Sequence, residues 1–293
     1  MEVFQFFLGE IQFIEKGKLG HKNHPAFRFR THWMCKSVKK AGFYDLSKGE
    51  RNKLVQRIRH EVSSDLSKEK NENIVKYAAD EDTYIRKNIY TALGSLYRDE
   101  QSLREKILGV VDEMLREEDE KVRQTAVYTL GEIGKIDAGK IVDQLEKTLS
   151  DEHHSVRNAV LGSLKQMGAK NPLPALEFAR RLLHHPDPII RRIIVHGIEL
   201  RGRTNPDDIL PLLAEMQDES DPKVMKIVIH VLSQISYKKG CLQTVISALK
   251  SWQNKDLVKR ALEEILSVHK RYEKFSELSV EEASDFITQQ FGK

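Results

Sequence analysis

The chain has 293 residues, a formal net charge of +4, 40% hydrophobic residues and two cysteines. That is enough apolar material for a continuous core, but no run approaches the ~18 apolar residues of a membrane span. Cys35 and Cys241 lie far apart, which fits a reduced cytoplasmic compartment better than a disulfide framework. The charge is uneven. Residues 16–44 hold eight Lys/Arg and no Asp or Glu, so the rest of the chain is slightly acidic.

Met1 to Glu15 reads as a short amphipathic helix, with Phe4, Phe7, Leu8, Ile11 and Ile14 at helical spacing. It lacks the basic start and cleavage site of a signal peptide. It suits a cap over the open end of an array, or a partner-docking helix. Gly17, Gly20, Asn23 and Pro25 break the pattern, and a second helix is predicted over 27–40, burying Phe29, Trp33 and Val38. Ser47-Lys48-Gly49-Glu50 is a capping-box pattern that opens a helix carrying Leu54, Ile58 and Val62.

From about Leu66 one phrase recurs around six anchors: Ile85, Val122, Val156, Ile190, Val224 and Val258. Four of the five steps are 34 residues and the first is 37. Four residues after the anchors come Ile89, Ala126, Val160, Ile194, Val228 and Leu262. Eight after come Leu93, Leu130, Leu164, Ile198, Leu232 and Leu266. This is one apolar helix face, repeated at a period that signals a solenoid. A first helix, such as one from Leu103 to Leu115, precedes each anchor helix. Asp82, Asp119, Asp187 and Asp221, three before their anchors, suit helix N-termini. Ser279-Val280-Glu281-Glu282 opens a closing helix gripped by Phe286 and Ile287. The expected organisation is an all-α, right-handed α-α superhelix of about six helical pairs. Residues 1–65 form an atypical N-terminal cap, 66–270 the repeats, and 271–293 a C-terminal capping helix.

Asp82-x-x-Ile85-Arg86, Asp119-x-x-Val122-Arg123 and Asp187-x-x-Ile190-Arg191 resemble HEAT repeats, and residues 120–134 resemble the subclass named after phycobilisome lyases. The resemblance spans roughly 70–270 and speaks to fold more than function. It implies that the Asp and Arg residues form a ladder between adjacent repeats, giving Asp82, Arg86, Asp119, Arg123, Arg157, Asp187 and Arg191 structural roles. It also implies that the anchor helices line a concave surface.

On that surface the position two after each anchor carries Lys87, Gln124, Asn158, Arg192, Lys226 and Arg260, with no acid among them. Six after the anchors come Thr91, Tyr128, Gly162, His196, His230 and Glu264. Stacked repeats would set these out at ~10 Å intervals, suited to phosphates or to an acidic protein segment. The plain alternative is a solvated face. Lys87, Gln124, Tyr128, Asn158, Arg192, His196, Lys226, His230 and Arg260 are the candidate groove residues. Arg180, Arg181, Arg191, Arg192, Arg201 and Arg203 form an Arg-rich cluster suited to bidentate anion contacts.

Around that cluster, 185–192 with Gly197 and Arg201, then 209–213, Asp221-x-x-Val224 and 242–252, are similar to the HEAT-like DNA alkylation repair family. That resemblance implies DNA cradled by basic residues, with Arg191 and Arg192 as the paired arginines. The expected Trp is replaced by Ile189 or Ile190, and Trp33 and Trp252 are not on anchor helices. In 16–44, Arg28, Arg30, Lys36, Lys39 and Lys40 interleave with aromatic residues, either as a secondary nucleic-acid contact or as the charged side of a helix.

His21-x2-His24 and His32-x2-Cys35 have chelating spacing, but the pattern is too loose to assign zinc. One His60-Glu61 pair is too little for the four-pair iron site of deoxyhypusine hydroxylases. His153-His154 and His184-His185 read as surface turns. No nucleotide-binding or hydrolase motif occurs. The sequence therefore predicts a monomeric, non-catalytic scaffold without metal or cofactor, whose groove binds an acidic protein segment or nucleic acid. The alternative is DNA-lesion recognition or an alkylated-base DNA glycosylase.

Overall fold

The computed structural model describes residues 42–292, and these contain helices and turns but no strand. The expected helices over 1–15 and 27–40, and the His/Cys spacing between them, lie outside the described residues. The first described α-helix is α1 (Lys48–Ser67). It is followed by α2 (Glu72–Ala78), α3 (Thr83–Asp99), α4 (Arg104–Met114), α5 (Glu120–Gly134), α6 (Val142–Thr148) and α7 (His154–Lys170). Then come α8 (Pro172–Leu182), α9 (Pro188–Gly197), α10 (Glu199–Gly202), α11 (Leu210–Ala214) and α12 (Pro222–Gln234). The series ends with α13 (Cys241–Ser251), α14 (Lys255–Arg271) and α15 (Val280–Phe291). No described helix is long and apolar enough to cross a membrane.

The helices stack in two layers. One holds α1 and the anchor helices α3, α5, α7, α9, α12 and α14, each packed on the next. The other holds the short first helices: α2 packs on α3, α4 on α5, α6 on α7 and α8 on α9. Neither layer buries its apolar stripe without the other, so each repeat is completed by its neighbours. All six anchors are buried. So are Ile89, Ala126, Val160, Ile194 and Val228 four residues on, and Leu93, Leu130, Leu164, Ile198 and Leu232 eight on. Small side chains let the anchor helices approach. A Cβ on Gly131 of α5 would lie 2.8 Å from the Ser163 Cα of α7. There the Ser163 hydroxyl donates to the Val127 carbonyl across the helix pair at 2.9 Å.

The sixth repeat departs from the predicted phase. Leu262 and Leu266 are only half-buried, while Leu257, Ala261, Ile265 and Val268 are buried. The true anchor is Leu257, not Val258. Asn254, three residues before Leu257, caps α14 by accepting from the Leu257 amide. The step from Val224 is thus one residue shorter than the others, and Arg260 falls one place off the stripe.

The caps explain why the helices begin where they do. Asp82, Asp119, Asp187 and Asp221 each accept a hydrogen bond from an amide in the first turn of their helix. Each satisfies a donor that the helix leaves open and places a negative charge at the positive end of its dipole. His153 holds the same position before α7 and makes no such bond. Ser47 and Ser279 form complete capping boxes with Glu50 and Glu282, as the sequence predicts. On α15, Ile287 is buried and Phe286 packs against the core, closing the array.

The Asp–Arg ladder takes a different form from the one the resemblance implies. With the Asp side chains used as caps, the Arg residues reach elsewhere. The Arg123 guanidinium donates to the Glu117 and Glu118 carbonyls of the turn before its own helix, and to both carboxylate oxygens of Asp151 in the next turn. Arg191 repeats the arrangement with the His185 and Pro186 carbonyls and Glu219. Arg86 holds the carbonyls of its own turn and donates to the Gln124 side chain of the next anchor helix rather than to a carboxylate, and Arg157 holds the carbonyls of its own turn. Where both halves are present, one guanidinium fastens two successive turns.

Candidate functional site

The candidate groove residues stand on successive anchor helices, but they do not form one uniform row. Lys87 on α3 is half-buried, and burial pushes its ammonium below the ordinary lysine value, with Glu132 and Lys135 beside it. Gln124 on α5 is engaged between repeats, accepting from Arg86 and donating to the Ser155 carbonyl. The Tyr128 ring lies 5.2 Å from that of Tyr90, and a Cβ on Gly162 would come within 2.8 Å of it. Burial raises the phenols of both Tyr90 and Tyr128. Asn158, Arg192 and Lys226 stand on α7, α9 and α12, and their side chains form no ion pair or hydrogen bond among the described residues. Arg260 on α14 is exposed and faces Asp256 at 3.7 Å.

The Arg-rich cluster is largely neutralised internally. Arg180 pairs with Glu215, Arg181 with Glu146, Arg191 with Glu219, Arg201 with Asp208 and Arg203 with Glu199. Of the six arginines grouped by sequence, Arg192 is the exception. The secondary basic residues Arg28, Arg30, Lys36, Lys39 and Lys40 lie outside the described residues.

His196 and His230 are brought together, and around them sits a cluster that sequence reasoning missed. Glu199, at the start of α10, has no solvent exposure. Its Oε2 lies 3.0 Å from Lys165 Nζ of α7, 3.0 Å from His196 Nε2 and 3.7 Å from His230 Nε2 of α12. Its Oε1 faces Arg203 Nη2 at 2.5 Å, and Arg203 also donates to Gln234 Oε1 of α12. The two imidazoles meet edge to face with centroids 5.4 Å apart.

Burial by itself would raise the Glu199 carboxyl. Lys165, the imidazoles and Arg203 together outweigh it and hold the group well below the usual carboxylate range. Burial pushes the His196 imidazole below its ordinary value despite Glu199. The arrangement is an ionised carboxylate shared by a buried ammonium, a guanidinium and two imidazoles.

A signal for the cluster exists in the repeat register. Nine residues after the first five anchors come Gly94, Gly131, Lys165, Glu199 and Ser233. That position faces the neighbouring anchor helix, as the close contacts of Gly94 and Gly131 demonstrate. Small residues stand there except in two consecutive repeats, where opposite charges occur and pair.

Residues 107–181 match the family described as HEAT repeats. No protein with a curated description matches the chain. Among solved structures, AlkD2 from Streptococcus mutans is similar with a TM-score of 0.49 and 18% identity, over 75% of this chain and 100% of that one. The Escherichia coli protein YibA gives 0.42 and 16%, over 91% and 100%. A computationally designed armadillo repeat protein for modular peptide recognition gives 0.32 and 19%, over 67% and 98%. With two-helix units stacked on either side of the matched segment, the chain is a helical-repeat solenoid whose residues 107–181 match the HEAT repeats.

Proposed function

We propose that the chain is a binding scaffold whose anchor-helix face takes an acidic segment of a partner protein. One observation carries the reading: Arg192 and Lys226 occupy the same repeat position on adjacent helices and have no ion-pair partner among the described residues, while the neighbouring arginines do. Packed helices lie ~8–10 Å apart. A segment in the polyproline II conformation rises ~3.1 Å per residue with three residues per turn, so acids three residues apart lie on one side and match that spacing. Asn158, on the preceding anchor helix, adds a neutral donor on the same line. With most of the Arg-rich cluster neutralised, the surface suits a few carboxylates better than the dense charge of a duplex.

The DNA-glycosylase alternative draws no support from this arrangement. Glu199, packed between the anchor helices, is sealed by cations and imidazoles, and Trp252 is buried at the end of α13.

Fluorescence anisotropy with two labelled probes tests the reading: a peptide bearing Glu at every third position, and a duplex DNA of about 20 base pairs. The peptide is expected to bind, and Arg192→Glu or Lys226→Glu to weaken it at least about tenfold with the fold intact. A duplex that binds more tightly, with affinity falling steeply as salt rises, would replace the protein segment by nucleic acid. Unchanged binding of both probes in the double charge reversal would remove this face as the binding surface.

A further inference from the structure

We propose that His196, Glu199 and His230 form a site for one exchangeable divalent transition-metal ion such as zinc. Two imidazole nitrogens and a carboxylate oxygen are a ligand set that zinc accepts, with a fourth position left to water or an incoming group. The three ligand atoms all lie within 4.8 Å of one another. Bonds of ~2.0–2.1 Å in a tetrahedral site place ligand atoms about 3.3 Å apart. The Glu199 Oε2 separations of 3.0 Å to His196 and 3.7 Å to His230 fall on either side of that value. Side-chain rotations that draw the two imidazole nitrogens, now within 4.8 Å of each other, closer together would bring all three onto one ion.

A second observation concerns the His196 Nε2 atom. It is buried and makes no hydrogen bond, although Glu199 Oε2 is only 3.0 Å away. A buried imidazole nitrogen is thus left with bonding capacity unspent beside a carboxylate oxygen. Nor does a flexible loop supply the ligands. His196 and Glu199 sit three residues apart at the junction of α9 and α10, and His230 holds the equivalent repeat position on α12. The imidazole side chains are 18% and 28% exposed, which gives an ion a path in and out.

Charge sets the strength of the site. Lys165 shares Oε2, and Arg203 holds Oε1. An incoming dication would compete with the Lys165 ammonium for one oxygen while Arg203 keeps the carboxylate in place. The result is an ion held less tightly than in a closed four-ligand structural site.

Calorimetric titration of the chelator-treated full chain with zinc chloride tests this, with cobalt(II) absorption as a second readout. The expected result is one equivalent that His230→Ala loses, or weakens at least about tenfold, while His24→Ala retains it. Melting of each variant in chelator verifies the fold, and His196→Gln repeats the test from the other imidazole. Lys165→Met is expected to bind zinc more tightly. Equal stoichiometry and affinity in the native chain, His230→Ala and His196→Gln would overturn the site. So would a cobalt(II) spectrum in the native chain that stays weak and octahedral at every ratio, a test that needs no variant.

Discussion

Replacing Glu199 with Gln keeps the side-chain shape and removes the charge on which Lys165 and Arg203 converge. Lys165 is 5% exposed, so its ammonium would stay in the interior while losing the carboxylate oxygen that faces it at 3.0 Å. Breaking a buried ion pair from one side costs about 3–5 kcal/mol, because the desolvated partner remains. The Arg203 side chain is 15% exposed and recovers part of its loss through water. The prediction for Glu199→Gln is therefore a loss of about 3–5 kcal/mol, a large share of the stability of an ordinary domain. Adding Lys165→Met removes the buried ammonium itself, and the double variant should regain most of what the single one loses. Urea unfolding followed by circular dichroism, in chelator to exclude metal binding, measures both. A single variant within about 1 kcal/mol of the native chain would refute the reasoning. So would a double variant as damaged as the single, since the cost would then not come from Lys165.

Ile194→Ala removes a fully buried anchor-face side chain and should cost about 2–5 kcal/mol, whereas Arg192→Ala should cost under about 0.5 kcal/mol; equal losses in urea would mean the helix phase is misassigned. Gly131→Ala should destabilise by about 1–3 kcal/mol through its clash with Ser163. Gly109→Ala, in the interior of α4 with open space around its Cβ position, should stabilise by about 0.5–1 kcal/mol, and thermal melts of the two should move in opposite directions. The hydrogen bonds from Arg191 hold the Glu219 carboxyl below its ordinary value. A carboxyl depressed in the folded state stabilises fully above its unfolded pKa of about 4.3 and loses that contribution as pH falls through the folded value. Arg191→Met should therefore flatten the decline in stability below about pH 4, measured as the urea midpoint against pH.

What the sequence made legible was local or periodic. The capping boxes at Ser47 and Ser279 and the Asp caps act within a few residues, so their chemistry is complete in a short window. The buried ladder follows from a face repeated at fixed spacing. The shift from Val258 to Leu257 escaped because both are apolar and adjacent. Only the Asn254 cap, one residue before the expected cap position, distinguishes them. The Arg123 and Arg191 partners escaped because Asp151 and Glu219 lie in the following turn, 28 residues on. The Lys165–Glu199 pair, 34 residues apart, becomes visible only when equivalent positions of successive repeats are aligned. His196 and His230 were placed on the groove face, but their convergence on a buried carboxylate depends on packing between helices.

The buried cluster also governs how such an array lengthens. A solenoid held only by nearest-neighbour contacts accepts a duplicated unit at any junction, because each new interface copies an old one. Here Lys165 comes from one anchor helix, His196, Glu199 and Arg203 from the next unit, and His230 and Gln234 from the third. A unit spliced between α7 and α9, or between α10 and α12, would part these side chains and leave unmatched charge inside the stack. A unit added between α3 and α5 would leave the cluster intact. The three central units are thus indivisible in a way the outer ones are not, and growth by duplication is confined to the flanks.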